Sequence, residues 1–143
     1  MKRYDELQKS EVLWIGQYPR EWTELRLKYF SIFRNGYSFK STDFYENEKY
    51  PVIRIGDLQD GKINIKEAIR VSEEVYQETK RFKNKRGDIL LALTGATIGK
   101  SAYYDTDEIS LLNQRVAALR PTKNVAVDYL KYLIESSEFR TLI

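Results

Sequence analysis

Residues Gly87–Pro121 decide how this chain folds. GDILLALTGATIGKSAYY occupies Gly87–Tyr104, and LNQRVAALRP occupies Leu112–Pro121 after a short polar spacer. The apolar run Asp88–Leu93 predicts a buried strand, and the short aromatic run beginning at Ser101 predicts a second. Val116–Leu119 predicts a third strand of small apolar residues. The glycines between the first two strands indicate a tight turn with positive φ or close backbone approach.

The turn Gly95–Ser101 resembles a phosphate-binding loop without meeting its requirements. Such a loop has four residues between its two glycines and then opens a helix whose N-terminus faces the anion. Here three residues separate Gly95 from Gly99, and a predicted strand follows. The stretch therefore favours a strand–turn–strand unit. A nucleotide-binding enzyme that uses Gly95–Ser101 remains an alternative hypothesis.

Composition narrows the function classes. The chain has 143 residues, of which 42% are hydrophobic and 13% aromatic, which suits a folded domain. It contains no cysteine and no histidine, which excludes disulfides, thiolate zinc sites, two-histidine metal sites and Ser-His-Asp hydrolysis. Catalysis by carboxylates alone stays open, but no paired acidic motif stands out, so we expect a binding module with no catalytic residue, metal site or cofactor. The net charge of +3 leans weakly toward an anionic partner. Without a signal peptide or transmembrane run, we expect a soluble cytoplasmic protein.

Further elements are predicted outward from this stretch. Tyr50–Leu58 reads as a strand, and Asp60-Gly61 is a turn signal. Leu25–Phe33 is interpreted as a strand or turn followed by a helix to about Phe33, with Gly36 supplying a left-handed residue after it. Ser72 is expected to cap a helix, and a final helix begins at about Val127. Short strands and about three helices without a βαβ rhythm predict an α+β fold.

Four blocks in this order resemble the specificity subunit of type I restriction–modification systems, specifically one target recognition domain. The first is Trp14-Ile15-Gly16 with Pro19 and Trp22, and the second is Pro51-Val52-Ile53-Arg54-Ile55-Gly56-Asp57-Leu58, with Val52 where the family has Trp. The others are Gly87–Lys100, ending in Thr-Ile-Gly-Lys, and Asn113-Gln114 with Leu119-Arg120-Pro121. No (Asn/Asp)-Pro-Pro-aromatic tetrad of an amino-methylating enzyme occurs.

The resemblance implies a fold and a set of partners. It implies a β-rich, non-catalytic domain over residues 1–126 and the start of a conserved helix over residues 127–143. Such a domain reads one half of a split double-stranded DNA target. Whole subunits bind adenine methyltransferase subunits, and restriction subunits join them. A half-length subunit would form a homodimer. A protein-interaction domain without DNA binding is the third hypothesis.

Candidate contact residues follow from side-chain chemistry, since Arg can grip guanine and Asn or Gln can grip adenine at two points. The base-reading candidates are Arg34, Tyr37, Ser38, Lys40, Thr94, Thr97, Asn113, Gln114 and Arg115. The phosphate candidates are Lys80, Arg81, Lys83, Lys85, Arg86 and Lys100. The apolar stripe of the last helix, Leu130, Leu133 and Ile134, either closes the core or pairs with a partner helix. The blocks Thr94–Lys100 and Asn113–Gln114 are equally well explained as framework.

Overall fold

A computed structural model describes residues 4, 6–59 and 61–142 of the chain. The strands in this part are β1 Leu7–Lys9, β2 Gln17–Pro19, β3 Ser31–Asn35, β4 Tyr50–Ile53, β5 Leu58–Gln59, β6 Lys62–Ile63, β7 Arg70–Val71, β8 Ile89–Ala92, β9 Ser101–Tyr103, β10 Leu111–Leu112 and β11 Val116–Pro121. The α-helices are α1 Glu73–Thr79, α2 Val127–Glu135 and α3 Ser137–Leu142. Single 3-10 turns lie at Leu27–Tyr29, Ser41–Asp43, Ile55–Asp57, Lys80–Phe82 and Gly95–Thr97. The fold is α+β, as predicted.

A four-stranded antiparallel sheet in the order β3-β11-β8-β9 forms the centre of the fold. Both of its faces are covered. Ile89 and Leu91 of β8 pack with α2, while Leu90 and Ala92 of the same strand face a second cluster. Because neighbouring strand residues point to opposite faces, a strand buried on both sides requires an unbroken apolar run. This explains the sequence of β8.

A smaller sheet in the order β10-β4-β7 lies on the side of the central sheet away from α2. Its strand β4 pairs in parallel with β10 and antiparallel with β7. Val52, Val71 and Leu111 of this sheet pack beneath α1 with aromatic neighbours. Ser72 caps α1 as expected, since its Oγ accepts the N–H of Val75 at 3.3 Å.

The predicted strands at Ile89, Ser101 and Val116 are confirmed, and two other predictions are wrong. Leu25–Phe33 forms a 3-10 turn over Leu27–Tyr29 and then β3, not a helix, because β3 pairs along its whole length with β11. The strand from Tyr50 ends at Ile53, because the Asp57 carboxylate accepts the Arg54 N–H and closes a 3-10 turn. Asp60, half of the predicted turn signal, lies outside the described residues.

Gly36 serves a different purpose from the one predicted. Its φ is not among the positive values, which occur at other glycines such as Gly95 (79°) and Gly99 (82°). A Cβ on Gly36 would instead overlap the backbone carbonyls of Leu112 and Asn113. Gly36 therefore permits two chain segments to approach closely, and it does not terminate a helix.

The C-terminal helices belong to the packed body. Leu130 and Ile134 of α2 are fully buried against Ile89, Leu91 and Leu119 of the central sheet. Of the two roles predicted for this stripe, these two side chains take the first and close the core. Across the described helices, none is both long and apolar enough to cross a membrane.

Tyr104 gives the fold a predicted sensitivity to alkaline pH. It is 1% exposed, and its hydroxyl lies 2.6 Å from both the Glu108 carbonyl and Ser110 Oγ. Burial raises the pKa of Tyr104 to about 12. An unfolded tyrosine loses its proton at about pH 10, so the folded state binds more protons between these values. Stability is therefore fully present below about pH 10 and falls as the pH rises toward about 12, by about 3 kcal/mol from this group.

Urea unfolding at a series of pH values tests this expectation. Tyr104→Phe loses two hydrogen bonds, so it should be less stable than the wild type at neutral pH. The difference should shrink above about pH 10, since the variant lacks this proton. A difference that stays constant through the alkaline range would contradict the assignment.

Candidate nucleic-acid interface

One end of the central sheet collects three polar turns from distant parts of the sequence. β3 and β8 each run antiparallel to β11, so both end where β11 begins. β9 runs antiparallel to β8 and therefore starts at this same end. The turns Arg34–Ser38, Thr94–Lys100 and Asn113–Arg115 consequently lie side by side. These residues are called the polar end below.

Backbone hydrogen bonds fix the three turns to one another. The Tyr37 N–H donates to the Leu112 carbonyl at 2.8 Å, and the Gln114 N–H donates to the Tyr37 carbonyl at 3.0 Å. The Leu93 N–H, just before the second turn, donates to the Arg115 carbonyl at 3.0 Å. Side chains on these turns are therefore held by a rigid sheet, an arrangement suited to recognition.

Two arginines that are distant in sequence meet beside the polar end. The Arg34 Nη2 donates a hydrogen bond to the backbone carbonyl of Arg81. The Arg81 guanidinium lies 4.7 Å from the centre of the Phe82 ring, which orients it by a cation–π contact. Phe82 in turn lies 5.2 Å from Tyr37. The cluster places two positively charged side chains beside two aromatic rings. Its members are Arg34, Tyr37, Arg81 and Phe82.

The trio Asn113–Arg115 divides into one framework residue and two exposed ones. Asn113 is 8% exposed, and its Oδ1 accepts the Arg115 N–H at 3.3 Å, so its side chain holds the turn. Gln114 and Arg115 are exposed and available to a ligand. At the neighbouring turns Thr94, Thr97 and Ser38 are exposed as well. Lys40 is exposed but starts the 3-10 turn Ser41–Asp43, just beyond the polar end.

The basic run Lys80–Arg86 does not form one continuous patch. Gly87 donates its N–H to the Tyr104 carbonyl at 3.0 Å, which places Lys85 and Arg86 where β8 begins, opposite the polar end. Arg86 there faces the carboxylates of Asp107 at 3.4 Å and Asp105 at 3.9 Å. Lys80 bonds to Gln77 of α1, and Lys83 is exposed beside β10. Arg81 is the member of the run that lies against Arg34.

Three consecutive backbone donors of the Gly95–Ser101 turn are already bonded within the fold. The N–H groups of Ile98, Gly99 and Lys100 donate to the carbonyls of Gly95, Ala92 and Thr97 respectively. These donors are already used, and β9 follows instead of a helix. Among residues 4, 6–59 and 61–142, no group of three or more acidic side chains could hold a metal ion. The nucleotide-binding alternative thus receives no support.

The third residue of the α2 stripe, Leu133, lies on an apolar groove. The groove has a volume of about 880 Å³ and runs between the N-terminal segment and the last two helices. Trp14, Trp22 and Tyr129 line it and are each more than two-fifths exposed. In this groove, apolar side chains beside the C-terminal helices are accessible to a partner.

Phe82 is the site residue that the sequence reasoning overlooks. It interrupts a run of five cations within seven residues, Lys80–Arg86. An aromatic residue within a basic run is a recognisable signal for cation–π support. The hydrogen bond between Arg34 and Arg81 spans 47 residues of sequence and leaves no comparable signal.

Comparison with known proteins finds similarity to a single family. The family model described as "Type I restriction modification DNA specificity domain" matches residues 19–141. The putative type I restriction enzyme MjaX specificity subunit of Methanocaldococcus jannaschii is 31% identical over 125 residues, covering 84% of this chain and 29% of that protein. The type I restriction enzyme StySPI specificity subunit of Salmonella potsdam is 22% identical over 134 residues, covering 90% and 28%.

Solved structures share the fold. The HsdS subunit of Thermoanaerobacter tengcongensis superimposes with a TM-score of 0.64 at 17% identity, over 86% of this chain and 32% of that one. A chain from a structure of the assembly and conformational transition of a type I restriction–modification system gives 0.63 at 19% identity, over 82% and 30%. The chain thus spans less than a third of the length of each of these proteins.

Proposed function

Because the chain belongs to the type I restriction modification DNA specificity domain family, we propose that it recognises one half of a bipartite DNA target. It performs no chemistry itself and directs adenine methyltransferase and restriction subunits to that target. The observation that carries the proposal is the polar end, where three hydrogen-bonded turns present exposed polar side chains beside two arginines.

The residues of the polar end fit the two kinds of DNA contact. Exposed Gln114 and Arg115 are suited to base edges, since Gln pairs with adenine and Arg with guanine in the major groove. Arg81, held on Phe82 at the margin, is suited to a phosphate, and phosphate contacts set the register of the protein on the duplex. The buried Asn113 side chain holds the turn in place, and we assign it no contact with a base.

Partner binding is proposed for the helical region. We assign residues 127–143 to the start of a conserved helical segment that meets the methyltransferase, through the apolar groove beside Leu133 rather than through the buried Leu130 and Ile134. If the natural protein is a half-length subunit, two copies would form a homodimer and present two target half-sites. Because its proposed target is genomic DNA, the protein would act in the cytoplasm, where that DNA lies.

Matched arginine variants test where DNA binds. Arg81→Ala should weaken binding to a duplex of random sequence and reduce the slope of log K against log salt by about 0.9, the loss of one phosphate contact. Arg86→Ala removes the same charge from the same basic run, but at the opposite end of the sheet. It should leave the slope close to that of the wild type. Fluorescence anisotropy from low to moderate salt measures both.

Sequence reading is tested in the assembled complex. Selection from random duplexes with the methyltransferase present should give a defined half-site, and Gln114→Ala should relax one base position at a cost of about 1–3 kcal/mol. Equal slopes for Arg81→Ala and Arg86→Ala would remove the polar end as the binding surface. A chain that captures methyltransferase yet binds no duplex in the complex would establish the protein-interaction hypothesis instead.

A further inference from the structure

A polar cavity, separate from the apolar groove, lies beside the polar end, where the central sheet meets the C-terminal helices. It is open, with a volume of about 610 Å³. Its walls are the turn that carries Thr97 and Lys100, the first residue of β9, Ser101, and the helical residues Glu135 and Arg140. Arg140 belongs to α3 and is not among the residues that the sequence singles out.

Ser101 supplies a hydroxyl group to the wall of the cavity. Alternation along β9 turns Ser101 and Tyr103 toward α2, where Lys131 lies 4.8 Å from the Tyr103 ring, while Ala102 faces the opposite core. Ser101 is 7% exposed as a residue, and its hydroxyl makes no hydrogen bond within the described structure. This hydroxyl is reached from the open cavity, so it is free to donate a hydrogen bond to a bound group.

The charges around the cavity favour an anion. Neither Lys100 nor Arg140 forms an ion pair with any residue in the described ranges. Among the described residues that line the cavity, Lys100 and Arg140 are cations and Glu135 is the one carboxylate, which leaves an excess of one positive charge. An arginine fork and a lysine ammonium on the wall of one cavity, together with hydroxyl donors, are suited to a tetrahedral oxyanion.

We propose that this cavity binds a phosphate group. Lys100 and Arg140 supply the charge, and the hydroxyls of Ser101 and Thr97 donate hydrogen bonds. The backbone N–H groups of Ile98, Gly99 and Lys100 take no part, because they are already bonded to carbonyls. The phosphate is either free in solution or part of the DNA backbone, and the second source rests on the proposed function. In both cases the anion ties α3 to the turn before β9.

The first arm of the test uses inorganic phosphate alone. At about ten times its dissociation constant, and against chloride at equal ionic strength, phosphate should raise the Tm of the wild-type chain by about 5 °C. Lys100→Ala with Arg140→Gln should abolish the shift. Lys123→Ala, which removes a charge from an exposed turn, should retain it. Lys100→Arg should restore it with Arg140 present. Circular dichroism checks that each variant is folded.

The second arm uses duplex DNA. If the phosphate belongs to the backbone, the double variant should reduce the salt slope of DNA binding by about 0.9 relative to the wild type, and Lys123→Ala should not. Either a phosphate-dependent Tm shift or the changed slope supports the cavity, and which one appears identifies the source.

The two proposals fail in different ways. Normal DNA binding with an unchanged slope in the double variant, together with no phosphate-dependent shift in the wild type, overturns the cavity but leaves the proposed function intact. A wild-type chain that binds no duplex even in the complex with the methyltransferase overturns the proposed function, and the phosphate titration then decides the cavity by itself.

Discussion

Replacing Asp88 by alanine should reduce the free energy of unfolding by about 3–5 kcal/mol. Asp88 is fully buried, and Arg120 grips it at two points, with Nε 2.7 Å from Oδ1 and Nη2 2.7 Å from Oδ2. The Lys85 N–H donates to Oδ2 as well, at 2.8 Å. The variant would leave the 18%-exposed Arg120 guanidinium without its counter-charge and a backbone donor without its acceptor. Urea unfolding measures the loss.

Two further variants separate the buried pair from charge loss in general. Arg86→Ala breaks ion pairs that are more than half exposed, so it should cost no more than about 1 kcal/mol. Asp88→Leu combined with Arg120→Met should recover much of the loss, because the unpaired buried charge is what destabilises the single variant. A cost for Asp88→Ala no larger than that for Arg86→Ala would mean that this pair does not hold β11 to the start of β8.

The strands of the central sheet could be predicted where local pattern and tertiary burial agree. Ile89–Ala92 is apolar without interruption because both faces of β8 are covered, and an unbroken short run between a Gly-Asp and a glycine turn is typical of such a strand. The sequence predicts positive φ at Gly95 and Gly99, and both adopt it. Ser72 is similarly a local signal, because its cap spans three residues.

Predictions failed where a distant partner decided the conformation. Leu25–Phe33 carries both helical spacing and alternation, and pairing with β11, some 85 residues further along the chain, selects the strand. Gly36 does not adopt the left-handed conformation predicted for it. Glycine is required there because the backbone carbonyls of Leu112 and Asn113 approach it closely. Neither interaction is visible within a window of the sequence.

The candidate interface shows the same division. Side-chain chemistry selects Arg34, Gln114 and Arg115 as base-reading candidates, and the structure places all three at the polar end, with Gln114 and Arg115 exposed. It could not reveal that the run Lys80–Arg86 is divided between the two ends of the sheet, because neighbours in sequence need not lie on the same surface. The position of β8 decides this. Arg86 lies just before β8 begins, at the end of the sheet away from Arg81, which lies beside Arg34.

Replacing Gly36 by alanine should reduce the free energy of unfolding by about 3 kcal/mol and weaken DNA binding in the fraction that still folds. The added Cβ would overlap the carbonyls of Leu112 and Asn113, and these are backbone atoms that no side-chain rotation can move away. Relief requires the two segments to separate, which breaks the bond from Tyr37 N–H to the Leu112 carbonyl. That bond joins Tyr37 of the polar end to Leu112, the residue just before the turn Asn113–Arg115.

Gly56→Ala is the matched control, because a Cβ there meets nothing within 4 Å and Gly56 is not at positive φ. It should change stability by less than about 1 kcal/mol and leave duplex affinity unchanged. Urea unfolding and anisotropy on the same samples compare the two variants. If Gly36→Ala lowers stability but the folded protein binds DNA with wild-type affinity and salt slope, the polar end is framework and the reading surface lies elsewhere. If both fall together, the close approach at Gly36 is what holds the recognition turns in register.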